Sequence, residues 1–335
     1  MNKKNYSACI ELLYSSENIV ITTHMNPDGD AIGSALALYN FSKNLGKNVY
    51  IFIMESAVPE NMKFLKNSNK IKRYIPELHN KIIYSADAIF MLDFNDISRI
   101  KTLGQVINAS TAHKIMIDHH IGTDTTIADI YIVDPEAAAT GELVYDFIKN
   151  VNGNITKDIA EDIYVALMTD TGNYRFNNVR QKVFEIAVDL IKKGVKPNKI
   201  YNKIYNKSIN QIRLLGMVYS NMEVYFDGKL TFMTISDDMF VETGTEVSDI
   251  EGFADKTLLL KSAIVGILII ELKDKNELRI SLRSNDDFNV RQIAVKYNGG
   301  GHINASGLRM NDVSIAQAKE LLKEDVFNLF NKITI

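Results

Sequence analysis

Three short apolar runs in the first half of the chain each stop at a polar cluster, and this arrangement constrains the fold more than any other feature. The runs are Ile19-Val20-Ile21, Ile89-Phe90-Met91-Leu92 and Ile115-Met116-Ile117. The clusters that follow them are His24-Met25-Asn26-Pro27-Asp28-Gly29-Asp30, Asp93, and Asp118-His119-His120, with a fourth, Asp170-Thr171-Gly172, further on. Short runs rich in Ile and Val with polar ends predict buried strands. In an open parallel sheet, groups at the carboxyl ends of the strands converge on one crevice. His and Asp gathered there suit hard or borderline divalent cations. The pattern therefore predicts a metal-dependent site for phosphoester chemistry.

Helical patterns alternate with these runs as far as about residue 191. After Asp30, the spacing of Ala31, Ile32, Ala35, Leu36, Leu38 and Tyr39 predicts a helix ending near Gly46, and residues 49–54 read as the next strand. Asp134-Pro135-Glu136 is expected to open another helix, with Asp134 as its cap and Pro135 at its first position. Strands alternating with helices argue for a parallel α/β sheet covered on both faces. Residues 191–216 read as a helical connector interrupted by Gly194 and Pro197. Strand signals resume at 222–226, 230–235, 263–272 and 278–283, with turns at Gly228 and at Asp274-Lys275-Asn276. The expected organisation is an N-terminal parallel-sheet domain over 1–190, the connector, and a smaller mixed α/β domain over 217–335.

Composition narrows the function classes. A chain of 335 residues exceeds one ordinary domain. The lone cysteine, Cys9, excludes an internal disulfide framework and fits a reducing compartment. The longest apolar run, 263–270, is too short to span a bilayer, and the start of the chain lacks a continuous apolar stretch, so a soluble cytoplasmic protein is expected. A formal net charge of −3 disfavours coating a long duplex through its phosphates, but is compatible with a small anionic substrate held by metals and a few arginines.

His24, Asp28 and Asp30 sit on a strand-to-helix turn shaped by Pro27 and Gly29. Capping would account for Asp28 alone; it leaves His24 and Asp30 without a role. Four of the six histidines fall inside candidate motifs, and His79 and His113 read as surface or loop residues.

The ordered set of HxNPDGD, an Asp after an apolar strand, DHH and DTG resembles the DHH phosphoesterase superfamily over residues 19–179. The resemblance implies two divalent cations, with Mn²⁺ the expected metal. His24, Asp28 and Asp93 would hold one; Asp30, Asp93, His119 and Asp170 would hold the other, with Asp93 bridging. It also implies that Asp118 orients His119. His120 would contact the substrate phosphate and give a proton to the leaving oxygen.

In the second half, Arg283 ends a strand and Gly299-Gly300-Gly301-His302 follows a helix. Successive glycines let backbone N–H groups approach an anion, and Arg283 and His302 could add hydrogen bonds; a flexible turn and a surface arginine are the alternative. With Asn304-Ala305-Ser306-Gly307, these residues resemble the DHH-associated C-terminal domain. That resemblance implies substrate contacts from Arg283, Gly299, Gly300, Gly301 and His302. The usual form has a fourth glycine where this chain has Asn298, a residue that tolerates the left-handed conformation.

The two domains together resemble the oligoribonuclease (nanoRNase) and adenosine 3′,5′-bisphosphate (pAp) phosphatase group. The implied substrates are short single-stranded RNA or DNA oligonucleotides, pAp and related small nucleotides, and the implied assembly is a homodimer. A cyclic di-AMP or pApA phosphodiesterase belongs to the same group and is the alternative substrate class. RecJ-type exonucleases add an OB-fold for which the length leaves no room, and family II pyrophosphatases lack the glycine-histidine motif. A non-catalytic nucleotide sensor is the alternative of another class; such relatives would be expected to lose ligands.

Overall fold

A computed structural model describes residues 3–54, 58–151, 153–285 and 287–333. The chain divides into two compact units, Met1–Tyr205 and Asn206–Ile335. The division falls inside the stretch 191–216.

In the first unit, helix α1 (Lys3–Ser15) leads into strand β1 (Asn18–Thr23), followed by α2 (Gly29–Asn44), β2 (Asn48–Ile53), β3 (Ile71–Arg73), α3 (Pro76–Tyr84) and β4 (Ala88–Leu92). Then come α4 (Lys101–Ala109), β5 (His113–Asp118), β6 (Ile130–Val133), α5 (Thr140–Asn150), α6 (Lys157–Asp170), α7 (Gln181–Lys192) and α8 (Pro197–Tyr205). The strands form one parallel sheet in the order β3-β2-β1-β4-β5-β6. The order reverses direction between β1 and β4, and in such sheets the crevice lies outside the carboxyl ends of the strands flanking that point.

The strands are apolar on both faces, as a doubly covered sheet requires. Ile19, Ile21, Phe90, Leu92, Ile115 and Ile117 enter one core with α2, α5 and α6. Val20, Phe52, Ile89, Met91 and Met116 enter another with α3 and α4. Helix α2 is buried from Gly29 through Ser42, so no side of it is left for charge beyond its ends. Small residues make that possible. A Cβ at Gly33 would stand 2.4 Å from the backbone oxygen of Asp162 on α6, and one at Gly141 would stand 2.4 Å from the Ala166 Cβ.

One helix start differs from the sequence expectation. Asp134-Pro135-Glu136 forms a turn, with the Asp134 carboxylate accepting from the Glu136 N–H, and α5 begins only at Thr140. The reason is tertiary: the N–H groups of Thr140 and Gly141 donate to Asp30, which takes over the capping role assigned to Asp134. His79 and His113 lie in regular elements rather than loops, and His113 is at the surface as expected. His79 lies in α3, its ring stacked on Phe52, and His113 opens β5.

The second unit contains α9 (Ile209–Ser220), β7 (Glu223–Tyr225), β8 (Leu230–Ile235), α10 (Asp237–Thr243), β9 (Val265–Leu272), β10 (Glu277–Ser284), α11 (Arg291–Lys296), β11 (Gly300–Gly301), β12 (Ala305–Asn311) and α12 (Ile315–Ile333). Its sheet order is β11-β12-β10-β9-β8-β7, antiparallel except for the β8–β9 pair. Helices α11 and α12 cover one face. On the other face, α9 and α10 pack over β8 and β9. Strand β12 has no counterpart among the sequence signals, because Ser306, Gly307 and Arg309 break the apolar run over its seven residues. Among the described residues no helix is long and apolar enough to cross a membrane.

Candidate metal centre

The ends of three central elements meet at the switch point of the first sheet. Strand β1 delivers His24, β4 delivers Asp93 and β5 delivers Asp118, His119 and His120, each in the first residues past or at the end of the strand. Asp30 comes from the first turn of α2 and Asp170 from the last residue of α6. Asp28 caps α2, its Oδ1 accepting from the N–H groups of Asp30 and Ala31. Its Oδ2 faces His24 Nε2 at 4.0 Å, so capping uses one oxygen and leaves the other for the crevice.

Two imidazoles are held in one tautomer by backbone carbonyls. His24 Nδ1 lies 2.8 Å from the Met25 oxygen and His119 Nδ1 lies 3.1 Å from the Ala137 oxygen. Donation from Nδ1 leaves Nε2 with a lone pair, the form that ligates a cation. His24 Nε2 stands 3.4 Å from Asp93 Oδ2. His119 Nε2 stands 3.6 Å from Asp30 Oδ2, 3.6 Å from Asp93 Oδ1 and 3.5 Å from Asp170 Oδ2. His24, Asp28 and Asp93 thus form one group that could hold an ion, and Asp30, His119 and Asp170 a second. Asp93 stands between them, one oxygen toward each histidine. Donors bound to one cation at about 2.1 Å stand roughly 3–4 Å apart, so both groups fit a divalent ion with nitrogen and oxygen ligands.

The electrostatics point the same way. Asp30 and Asp93 are 1% and 2% exposed. Burial lifts the carboxyls of Asp30 and Asp93 above the ordinary range, and for Asp93 the neighbouring Asp30 and Asp28 lift it further. Burial likewise lifts Asp170, to about 8, against the opposing pull of His119. Burial alone would push the His119 imidazole down, but Asp170 and Asp30 outweigh it and hold it above its usual value. Clustered buried carboxylates are costly unless cations offset them. The backbone is strained at the same point: Asp93 has φ 64°, the left-handed region, its N–H held by the Ile117 oxygen.

Asp118 corrects one expectation. Its Oδ1 lies 2.7 Å from His120 Nδ1 and its other oxygen accepts from Thr123, so the imidazole it orients is His120, while His119 turns its Nδ1 to Ala137. Burial raises the Asp118 carboxyl, yet the contact with His120 outweighs it and the group lies below its ordinary value. The contact fixes the direction of the His120 ring and commits Nδ1, not Nε2, to Asp118.

Residues not anticipated from sequence complete the centre. The Thr140 N–H donates to Asp30 Oδ2 at 2.6 Å, the Gly141 N–H to Oδ1 at 2.9 Å, and the Thr140 hydroxyl to Asp93 Oδ1 at 3.0 Å. The fully buried Glu142 accepts from the Ala138 N–H and pairs with Arg180 and Lys182, bracing the loop whose Ala137 carbonyl fixes His119. The only signal for them was a hydroxyl beside a glycine at the head of the run Leu143, Val144, Phe147.

In the second unit, Arg283 donates from Nε to Asp255 Oδ1 at 2.7 Å. Gly300 and Gly301 form a two-residue strand against Gly307 and Ser306. Gly299 and Gly301 are required by packing, since a Cβ there would meet the Gly307 oxygen at 2.2 Å and the Ala305 oxygen at 2.5 Å, whereas Gly300 faces open space. His302 bonds through its N–H to Ala305 O, and Asn298 adopts φ 58°, as the replacement of a glycine requires.

A doubly covered parallel sheet with paired His and Asp groups at its switch point, followed by a smaller mixed-sheet unit, defines a class of metal-dependent phosphoesterases. Residues 18–169 match the DHH family N-terminal domain and residues 228–332 the DHHA1 domain. The chain is 30% identical to the bifunctional oligoribonuclease and PAP phosphatase NrnA of Thermus thermophilus, over 92% of this chain and 89% of that protein. It is 32% identical to an exopolyphosphatase-related protein from Bacteroides fragilis of known structure, with a TM-score of 0.93 and 99% and 98% of the two chains covered. It is 23% identical to the cyclic-di-AMP phosphodiesterase PdeA of Listeria monocytogenes, over 93% of this chain and 48% of that protein. The chain belongs to the DHH phosphoesterase family, with a DHHA1 domain following the DHH domain.

Proposed function

We propose that the chain hydrolyses short oligonucleotides to mononucleotides and removes phosphate from pAp, using two divalent cations, with Mn²⁺ the expected pair. The observation that carries the reading is the position of Asp93 between two complete donor groups, each with one tautomer-fixed histidine. His24, Asp28 and Asp93 would hold one ion; Asp30, His119, Asp170 and the second oxygen of Asp93 would hold the other. Two such ions supply Lewis acidity and a water of lowered pKa for in-line displacement at phosphorus.

The chain's own residues do the rest. Asp118 holds the His120 ring in place, and His120 would donate a proton to the leaving oxygen. Thr140 and Gly141 hold Asp30 and Asp93 in place through the approach of ions and substrate. In the second unit Arg283 and the open backbone at Gly300, with Gly299, Gly301 and His302 around it, are suited to a terminal phosphate. The likeness to the bifunctional oligoribonuclease supports this substrate class.

The resemblance to PdeA supports a second reading, in which cyclic di-AMP or its linear product pApA is the substrate. A panel decides between them: Mn²⁺-dependent hydrolysis of pAp, pApA, cyclic di-AMP and RNA of increasing length, with Asp93→Ala as the control. Preference for the shortest RNAs together with pAp turnover is the expected result. Activity confined to cyclic di-AMP or pApA moves the protein to the second reading. Absence of EDTA-sensitive turnover on the whole panel refutes both and leaves a nucleotide sensor.

A further inference from the structure

The open half of the second sheet carries two arginines that the centre described above does not use. Side chains alternate along β10, so Glu277, Arg279, Ser281 and Arg283 share a face. Helices α9 and α10 cover that face over β8 and β9, and the turn Ala254–Leu258 reaches β10 at its Arg283 end, through Asp255. On β12, Arg309 stands directly opposite Arg279, Gly307 opposite Ser281, and Ala305 opposite Arg283. On β11, Gly300 continues the middle rung opposite Gly307. Gly300 and Gly307 are exposed.

The result is a lane with guanidinium groups at both ends and a low floor between them; Asp255 balances the Arg283 end. Like charges directly opposed on adjacent strands are destabilising, so the Arg279–Arg309 pair needs a reason to be there. Arg309 meets Glu277 Oε1 at 2.5 Å. Among the described residues Arg279 has no carboxylate within 4.0 Å, although it is partly buried. Burial, and then Arg309, pull its guanidinium below the ordinary value. One carboxylate for two guanidinium groups leaves one positive charge for an anion.

We propose that Arg279 and Arg309 form a second phosphate subsite, about 13 Å along β10 from Arg283, which engages an oligonucleotide beyond the part that Arg283 and Gly300 contact. Guanidinium groups suit this role because their planar donors pair with phosphate oxygens. The glycine rungs between the two ends let a backbone or base lie close to the sheet. The inference rests on the oligonucleotide reading above. Under it, a substrate as small as pAp has nothing to place at the Arg279 end, and a longer chain does.

The test uses the full chain with Arg279→Gln and Arg309→Gln, and Lys192→Gln on α7 as a charge control. The measured quantity is the ratio of kcat/KM for five-residue RNA to that for pAp, which is expected to fall about tenfold in each arginine variant and to stay level in the control. In parallel, anisotropy with labelled five-residue RNA in the Asp93→Asn background gives the salt dependence of binding. Its logarithmic slope is expected to flatten by about 0.7 for each phosphate that an arginine no longer neutralises. A ratio within twofold of the unsubstituted chain with an unchanged slope overturns the subsite, as does an equal fall for both substrates. If Arg279→Gln does not fold, the exposed Arg309→Gln carries the test. If the unsubstituted chain hydrolyses neither substrate, the functional reading fails and the slope alone judges the lane.

Discussion

Asp93 combines three burdens: a left-handed backbone, nearly complete burial, and a position among other carboxylates. Each disfavours folding in the absence of cations, and their coincidence at one residue is what a shared ligand requires. Replacing it with asparagine should therefore separate activity from stability. Asp93→Asn is expected to lower turnover by about 10³-fold or more while raising the melting temperature of the metal-free protein. Turnover and thermal melts in EDTA check both, and a melting temperature that falls would show that the carboxylate is stabilising without metal. The His and Asp residues that gather at the switch point were readable from residue type and order. The partner of Asp118 was not, because adjacency to both histidines left the choice to side-chain direction, and the fold turns His119 toward Ala137.

At the scale of elements, the centre depends on how closely α2, α5 and α6 approach one another. Asp30 starts α2, Asp170 ends α6, and the first N–H groups of α5 donate to Asp30. A carboxylate at a helix N-terminus is stabilised by the unpaired N–H groups and the helix dipole. Gly33 sets the α2–α6 spacing, since a Cβ there would collide with a backbone oxygen that cannot rotate away. Gly33→Ala is expected to destabilise the chain by about 1–3 kcal/mol and to lower turnover by shifting Asp30 relative to Asp170. Urea denaturation and kinetics on one preparation test this, and unchanged stability would show that the helices can separate at no cost. Periodicity marked α2 as a helix but not its burial on all sides, and it placed the start of α5 at Asp134, where a local turn is made instead.

Across the whole molecule, the acidic centre is expected to couple proton uptake to cation binding. The carboxyls of Asp30, Asp93 and Asp170 lie above their unfolded values, so the folded metal-free chain binds protons more tightly than the unfolded chain. Their stabilisation is therefore present at low pH and is lost as pH rises through the folded values, about 8 for Asp170. A divalent cation binds the deprotonated centre and must displace those protons, so its effect should grow over the same interval. With free Mn²⁺ about a thousandfold above its Kd, the gain would be about 4 kcal/mol. Melting temperatures with and without Mn²⁺, compared at mildly acidic and mildly alkaline pH, check the prediction; an equal rise at both would refute the coupling.

By itself the sequence determined the alternation of strands and helices, the donor residues at the strand ends, and the family they mark. These depend on residue type and spacing, which a chain carries before it folds. The tertiary structure decided which donors stand together, which imidazole Asp118 orients, and that Asp30 caps α5 by accepting from Thr140 and Gly141, 110 and 111 residues away. It also decided that Arg279 faces Arg309 across two strands. These pairings are set by strand register, helix packing and side-chain direction, and none of them leaves a periodic trace in the sequence.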